Sequence, residues 1–100
     1  MATKLMKLYF SQAQKADVVD CLLQVDSISG FSIYAIEGYS RSHERYDLVE
    51  QISGARRMLT AEIICTDAAV PALQNALAQL HFSDPLRYTL VAIEANGHLN

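Results

Sequence analysis

Cysteine is scarce. Cys21 and Cys65 are the two in a chain of 100 residues, too few for a disulfide framework. Two prolines and four glycines leave no linker and no low-complexity tract. No stretch approaches about 18 consecutive apolar residues, so no membrane-spanning helix is expected. Basic residues are few: 8 Lys and Arg against 11 Asp and Glu give a net charge of −3, the wrong sign for a general nucleic-acid binder. The start, Met1 to Phe10, has lysines but no long apolar core or small-residue cleavage site. A cytoplasmic location is the expectation. Neither a C-x-x-C pair nor a histidine pair at helical spacing occurs, and no nucleophile motif or carboxylate pair stands out. The chain is therefore read as a non-enzyme, and no cofactor is implied.

What is present is hydrophobic pattern, with 51% apolar residues in a length that suits one domain, 1–100. Lys4–Phe10 is an apolar and aromatic run that predicts a strand. After a turn at Ser11–Ala13, Val18, Cys21, Leu22 and Val25 recur at helical spacing across Gln14–Asp26, with Val19 and Leu23 widening the stripe. Ser29-Gly30 turns the chain into a second strand, Phe31–Tyr39. Met58–Thr66 reads as a third. Thr66 or Asp67 then caps a helix that tolerates Pro71 in its first turn and carries Val70, Leu73, Leu77 and Leu80 on one side. Leu86–Glu94 is the last strand.

The order β-α-β, long loop, β-α-β predicts an α+β ferredoxin-like fold, with a four-stranded antiparallel sheet and both helices on one face. Strict alternation sends Met6, Leu8, Phe10, Phe31, Ile33, Leu59, Ile63 and Leu90 toward the helices. It sends Leu5, Tyr9, Tyr34, Ile36, Met58, Ile64, Val91 and Ile93 to the other face, where only Lys7, Glu62 and Arg87 bring charge. A half-solvated sheet should be polar there, so this face reads as an interface in a homo-oligomer, unless one strand is out of register. RNA-recognition modules share the topology but carry stacking aromatics on the central strands. Met58–Thr66 has none, and no nucleic-acid partner is expected.

Ser40–Arg57 is too long for an ordinary connection. It holds seven of the nineteen charged residues (Arg41, Glu44, Arg45, Asp47, Glu50, Arg56 and Arg57) and four of the five arginines. Arginine forks suit carboxylates and phosphates, so this segment is the place for a small anionic effector or a protein partner. The plain alternative is a solvated excursion. Leu48–Ile52 within it has the pattern of a short helix, and the rest is expected to be flexible. His43 and Glu44 are the candidate ligands for a divalent metal shared between subunits. Cys21 on the helix stripe and Cys65 on a core-facing strand read as inert buried thiols.

Gly30-Phe31-Ser32-Ile33-Tyr34-Ala35-Ile36-Glu37-Gly38-Tyr39-Ser40-Arg41 resembles the second strand of PII signal-transduction proteins, with its closing glycine and the entry to their long T-loop. Ala61-Glu62-Ile63-Ile64 resembles their return strand. Over roughly residues 4–94 the chain resembles an uncharacterised PII-like branch, several members of which are encoded beside heavy-metal efflux systems. The resemblance implies a homotrimer with sheets lining the centre and a loop, 40–57, that meets a protein partner through Arg41, His43, Glu44, Arg45, Tyr46, Arg56 and Arg57. It implies a small effector in a cleft between subunits, near Gly38, Ser40 and Arg41. A membrane transporter is one peripheral partner that it suggests, and a divalent-metal tolerance protein is the alternative function. Tyr46 is similar in place to the tyrosine at the family's loop tip. The glycine- and lysine-rich phosphate segment of that family is replaced here by His81-Phe82-Ser83-Asp84-Pro85-Leu86-Arg87, and its terminal arginine pair is missing. Weak or absent ATP binding is the expectation.

Overall fold

Alternation along the first strand decides which way the sheet faces. In the computed structural model, which describes residues 2–39 and 56–100, β1 spans Thr3–Phe10, and Met6, Leu8 and Phe10 are each 1% exposed. Helix α1 follows at Lys15–Leu23, β2 at Ser32–Gly38, β3 at Arg56–Thr66, α2 at Val70–Ala78 and β4 at Arg87–Ile93. The strands form one antiparallel sheet in the order β2-β3-β1-β4. In register, Met6 stands between Ile63 and Leu90, and Leu8 between Ala61 and Tyr88. The fold class predicted from the β-α-β repeat is the one observed, and Leu48–Ile52 lies outside the described residues.

The core lies between the two central strands and the helices. Val18 and Leu22 of α1 meet Val70, Leu73 and Leu77 of α2 over Met6, Leu8, Phe10, Ala61 and Ile63. Each helix is entered through a short 3₁₀ turn, Gln12–Gln14 and Asp67–Ala69. At the first entry the Ser11 amide donates to Gln14 Oε1 at 2.9 Å, half of the reciprocal bonding that S-x-x-Q sequences favour at helix starts. At the second, the Asp67 amide donates to the Ala2 carbonyl at 2.9 Å, which ties the exit of β3 to the start of β1. Pro71 sits in the first turn of α2, where its missing N–H costs nothing.

Three features depart from the sequence reading. Helix α1 is shorter than Gln14–Asp26, because the chain tightens into i→i+3 bonds, Gln24 to Cys21 and Val25 to Leu22. Leu23, the last residue of the helix and one step round from the buried Leu22, points outward, 69% exposed. Leu90 faces the helix layer as alternation requires, but neither nine-residue helix reaches over β4. Leu90 is 38% exposed, and so is half of Tyr88 beside it. Finally, β3 begins at Arg56, so Arg56 and Arg57, read as loop, are strand residues.

Among the described residues no helix is long and apolar enough to cross a membrane. On the face away from the helices, Thr60 stands between Tyr9 and Tyr34 and is buried, yet its hydroxyl has no hydrogen-bond partner among the described residues. An unpaired buried hydroxyl costs free energy that an isosteric methyl does not. Thr60→Val is accordingly expected to leave stability unchanged or raise it by about 1 kcal/mol, read from the urea midpoint. A loss of that size instead would mean that the hydroxyl has a partner in solution.

Candidate functional site

The two ends of the long loop meet at one end of the sheet. Gly38 closes β2 directly opposite Arg56, which opens β3, and Glu37 stands opposite Arg57. A Cβ at the closing position would come within 3.1 Å of Met58 Sδ, a tight contact that the flexible Met58 side chain would have to relieve, and 3.6 Å of the Arg56 carbonyl oxygen. Alternation turns Arg56 and Arg57 to opposite faces, so they do not act as one cationic pair.

The Arg56 guanidinium donates to the Asp84 carboxylate at 2.9 Å. Asp84 is anchored a second time through its main chain, where its carbonyl accepts from Gln14 Nε2 at 2.7 Å. Gln14 is buried, and its Oε1 accepts from both the amide and the hydroxyl of Ser11. Three segments distant in sequence are thus knotted together: the turn after β1, the loop exit and the stretch before β4. The pair is charge-assisted and well aligned in distance, but it is partly exposed to solvent, which keeps its net contribution modest. The negative charge of Asp84 is therefore met by an arginine.

Two clefts flank this knot. One, of about 420 Å³, is lined by Gln12, Ala35, Ile36, Glu37, Arg57, Met58 and Leu59, beside the loop ends. At its rim Tyr39 donates its hydroxyl to Glu37 at 3.0 Å. The other, of about 370 Å³, lies under the uncovered side of β4 and is apolar, with Leu77, Leu80, Phe82, Leu86 and Tyr88 in its walls and Gln74 and His81 as polar groups. Gln74 there donates to the Tyr88 hydroxyl at 3.1 Å.

The face of the sheet away from the helices presents Leu5, Ile64, Val91 and Ile93 at one end and Ile36 and Met58 at the other. Ile64 and Val91 are 44% and 43% exposed. A polar band crosses the middle. Lys7 stands opposite Glu62, and hydrogen bonding to the Glu62 carboxylate pushes the Tyr34 hydroxyl above its ordinary pKa. The Arg87 guanidinium lies over the Tyr9 ring, 4.3 Å from its centroid.

Of the residues singled out from the sequence, Gly38, Arg56 and Arg57 are brought together at the loop base. Ser40, Arg41, His43, Glu44, Arg45 and Tyr46 lie outside the described residues. Among the described residues no three of His, Cys, Asp and Glu converge as a metal site. Burial pushes the Cys21 and Cys65 thiols up, and the Asp67 charge adds to the effect at Cys65, so both are poorer nucleophiles than a free cysteine. The sequence reading missed Gln14. The Ser11-x-x-Gln14 spacing signalled its cap to Ser11, but nothing signalled its bond to a residue 70 positions away.

A family model described as "Protein of unknown function (DUF3240)" matches residues 1–100. No curated protein matches the chain. Among solved structures, a DUF3240 family protein from Shewanella baltica OS155 is 32% identical, with a TM-score of 0.81 over 100% of this chain and 99% of its own. CPII, a nitrogen regulatory PII-like protein from Thiomonas intermedia K12 whose structure holds ADP, AMP and bicarbonate, is 12% identical. It superposes with a TM-score of 0.72 over 99% of this chain and 98% of its own. The two superpositions bear out the PII-like fold.

Proposed function

The chain belongs to the DUF3240 family, and from that premise we propose that it is a non-enzymatic PII-like regulatory protein. It works as a homotrimer, takes a small anionic effector at the base of the 40–57 loop, and passes the bound state to a protein partner through that loop. The observation that carries this reading is the loop base itself. Gly38 and Arg56 stand opposite each other in the sheet, so a long charged segment leaves and re-enters the fold at one point. That point holds an arginine fork and borders a cleft. Change there can reach the loop without disturbing the core.

The apolar sheet face supports the assembly. A monomer would leave Ile64 and Val91 in water, and exposed apolar surface of this kind marks an interaction site. The 12%-identical CPII was solved with adenine nucleotides and bicarbonate, so these anions are the first effectors to try.

Removing residues 42–53 tests the division of labour. The shortened chain is expected to stay at three chains per particle by light scattering, as the intact one does at about 33 kDa, three times 11.1 kDa. Calorimetry of the intact protein with AMP, ADP, ATP and bicarbonate, beside Cu(II), Zn(II) and Co(II), is expected to give heat with an anion. Addition of that anion is expected to change the rate of tryptic cleavage at Arg41 and Arg45. Heat with a divalent metal alone, and no response of the loop to any anion, would overturn the regulatory reading.

A further inference from the structure

We propose that the apolar cleft between α2 and β4 is a second binding site, which takes a small uncharged molecule of one or two fused rings carrying one hydrogen-bonding group. It is separate from the loop base, and its chemistry excludes the anion that the loop base takes.

The cleft has a volume of about 370 Å³. Small-molecule pockets run from roughly 300 to 1,000 Å³, and an apolar cavity of about 150 Å³ already takes up benzene. A partner's helix, about 10 Å across, is too thick to enter. The floor is Met6 and Leu8 of β1, both part of the buried core. Leu77 and Leu80 stand on the helix side, and Phe82, Leu86 and Tyr88 on the other, so a ring inside meets hydrocarbon and aromatic surface. No Asp, Glu, Lys or Arg lines the cleft. A carboxylate or phosphate there would lose its water without gaining a counter-charge, which is costly. Polar groups are few, and two of them are already joined: Gln74 Nε2 donates to the Tyr88 hydroxyl at 3.1 Å. That bond leaves the hydroxyl's own proton as one donor and Gln74 Oε1 as one acceptor for a ligand.

Both sides of the cleft are held in place. The bond from Gln74 to Tyr88 ties α2 to β4. Asp84 stands between Phe82 and Leu86, and there its carbonyl accepts from the buried Gln14 at 2.7 Å and its carboxylate pairs with Arg56 at 2.9 Å. A pocket fixed in this way spends little conformational entropy on being filled. Tyr88 stands opposite the buried Leu8, so the cleft lies on the helix side of β4. The face proposed to join the chains is the other one, and a ligand in the cleft does not compete with assembly.

The test is a nuclear magnetic resonance titration of the full-length protein with indole, indene and indole carboxylate. Indole is uncharged and carries one N–H, indene has nearly the same shape without it, and the carboxylate adds a negative charge. Indole is expected to shift the Leu77, Leu86 and Tyr88 resonances saturably, and to bind about fivefold tighter than indene or indole carboxylate. Gln74→Leu removes the acceptor and is expected to bring indole and indene to one affinity. Ala78 lines the cleft at the exposed end of α2, so Ala78→Trp fills the space without entering the core. That variant is expected to fold and to bind indole at least tenfold more weakly. An absence of saturable shifts would overturn the proposal. So would equal binding of indole and indene, or of indole and its carboxylate, by the unaltered chain, and so would an Ala78→Trp chain that binds as the unaltered one does. Shifts seen only after Ile64→Glu has separated the chains would assign the cleft to a second copy and overturn it as well. The loop base is read separately, by calorimetry with anions, so either site can fail by itself.

Discussion

Ile64→Glu is expected to turn a particle of three chains into single chains of 11.1 kDa, measured by light scattering at micromolar concentration. Ile64 stands opposite Leu5 and is 44% exposed on the face away from the helices. In the proposed trimer that face is covered, and an unpaired carboxylate buried there costs several kcal/mol per copy. The local fold has no reason to suffer, because the side chain lies outside the core and the far-ultraviolet spectrum should be kept. Leu23→Glu is the control. Leu23 is even more exposed, but it lies on the helix layer, and its variant is expected to remain assembled. A monomeric unaltered protein, or an Ile64→Glu trimer, would remove the sheet face as the interface.

Leu73→Ala is expected to lower stability by about 3 kcal/mol, seen as a drop in the urea midpoint at unchanged slope. Leu73 is 0% exposed in the middle of α2, inside the cluster formed with Met6, Leu8, Ile63 and Leu22. Truncation there loses the transfer free energy of the removed atoms and leaves a void that surrounding strands cannot close. A domain of this size has only about 5–15 kcal/mol to lose. Leu99→Ala, at a residue fully in solvent, is expected to change nothing. Both measurements must use one protein concentration, since association adds to apparent stability by mass action. A loss under 1 kcal/mol at Leu73 would mean that the helix repacks over the gap.

The period-two pattern of Lys4–Phe10 was enough to place Met6, Leu8 and Phe10 inside and Leu5, Lys7 and Tyr9 outside, because alternation in a strand leaves no freedom. The stripe Val70, Leu73, Leu77 was legible for the same kind of reason at helical period. Coverage was not. Whether Leu90 and Leu23 are buried depends on how far two nine-residue helices reach across a four-stranded sheet, a property of the packed whole. The candidate site was legible in its anchor points, Gly38 with the arginines, and opaque in its contacts. Asp84 is 28 residues from Arg56 and 70 from Gln14, and no local spacing rule spans such separations.

The sheet order also fixes how the fold can come apart. β1 and β3 are bonded on both sides and lie under the helices, while β4 is bonded only to β1 and is exposed along nearly its whole length. The centre must therefore open by the full unfolding free energy, and β4 by much less. Peeling β4 from β1 leaves the β1–β3 pair and the helix layer standing, while it uncovers one flank of Met6 and Leu8 and widens the cleft between Leu86 and Leu77. The molecule thus has a fixed centre and, at β4, a hinged side. The hinged side begins three residues after Asp84.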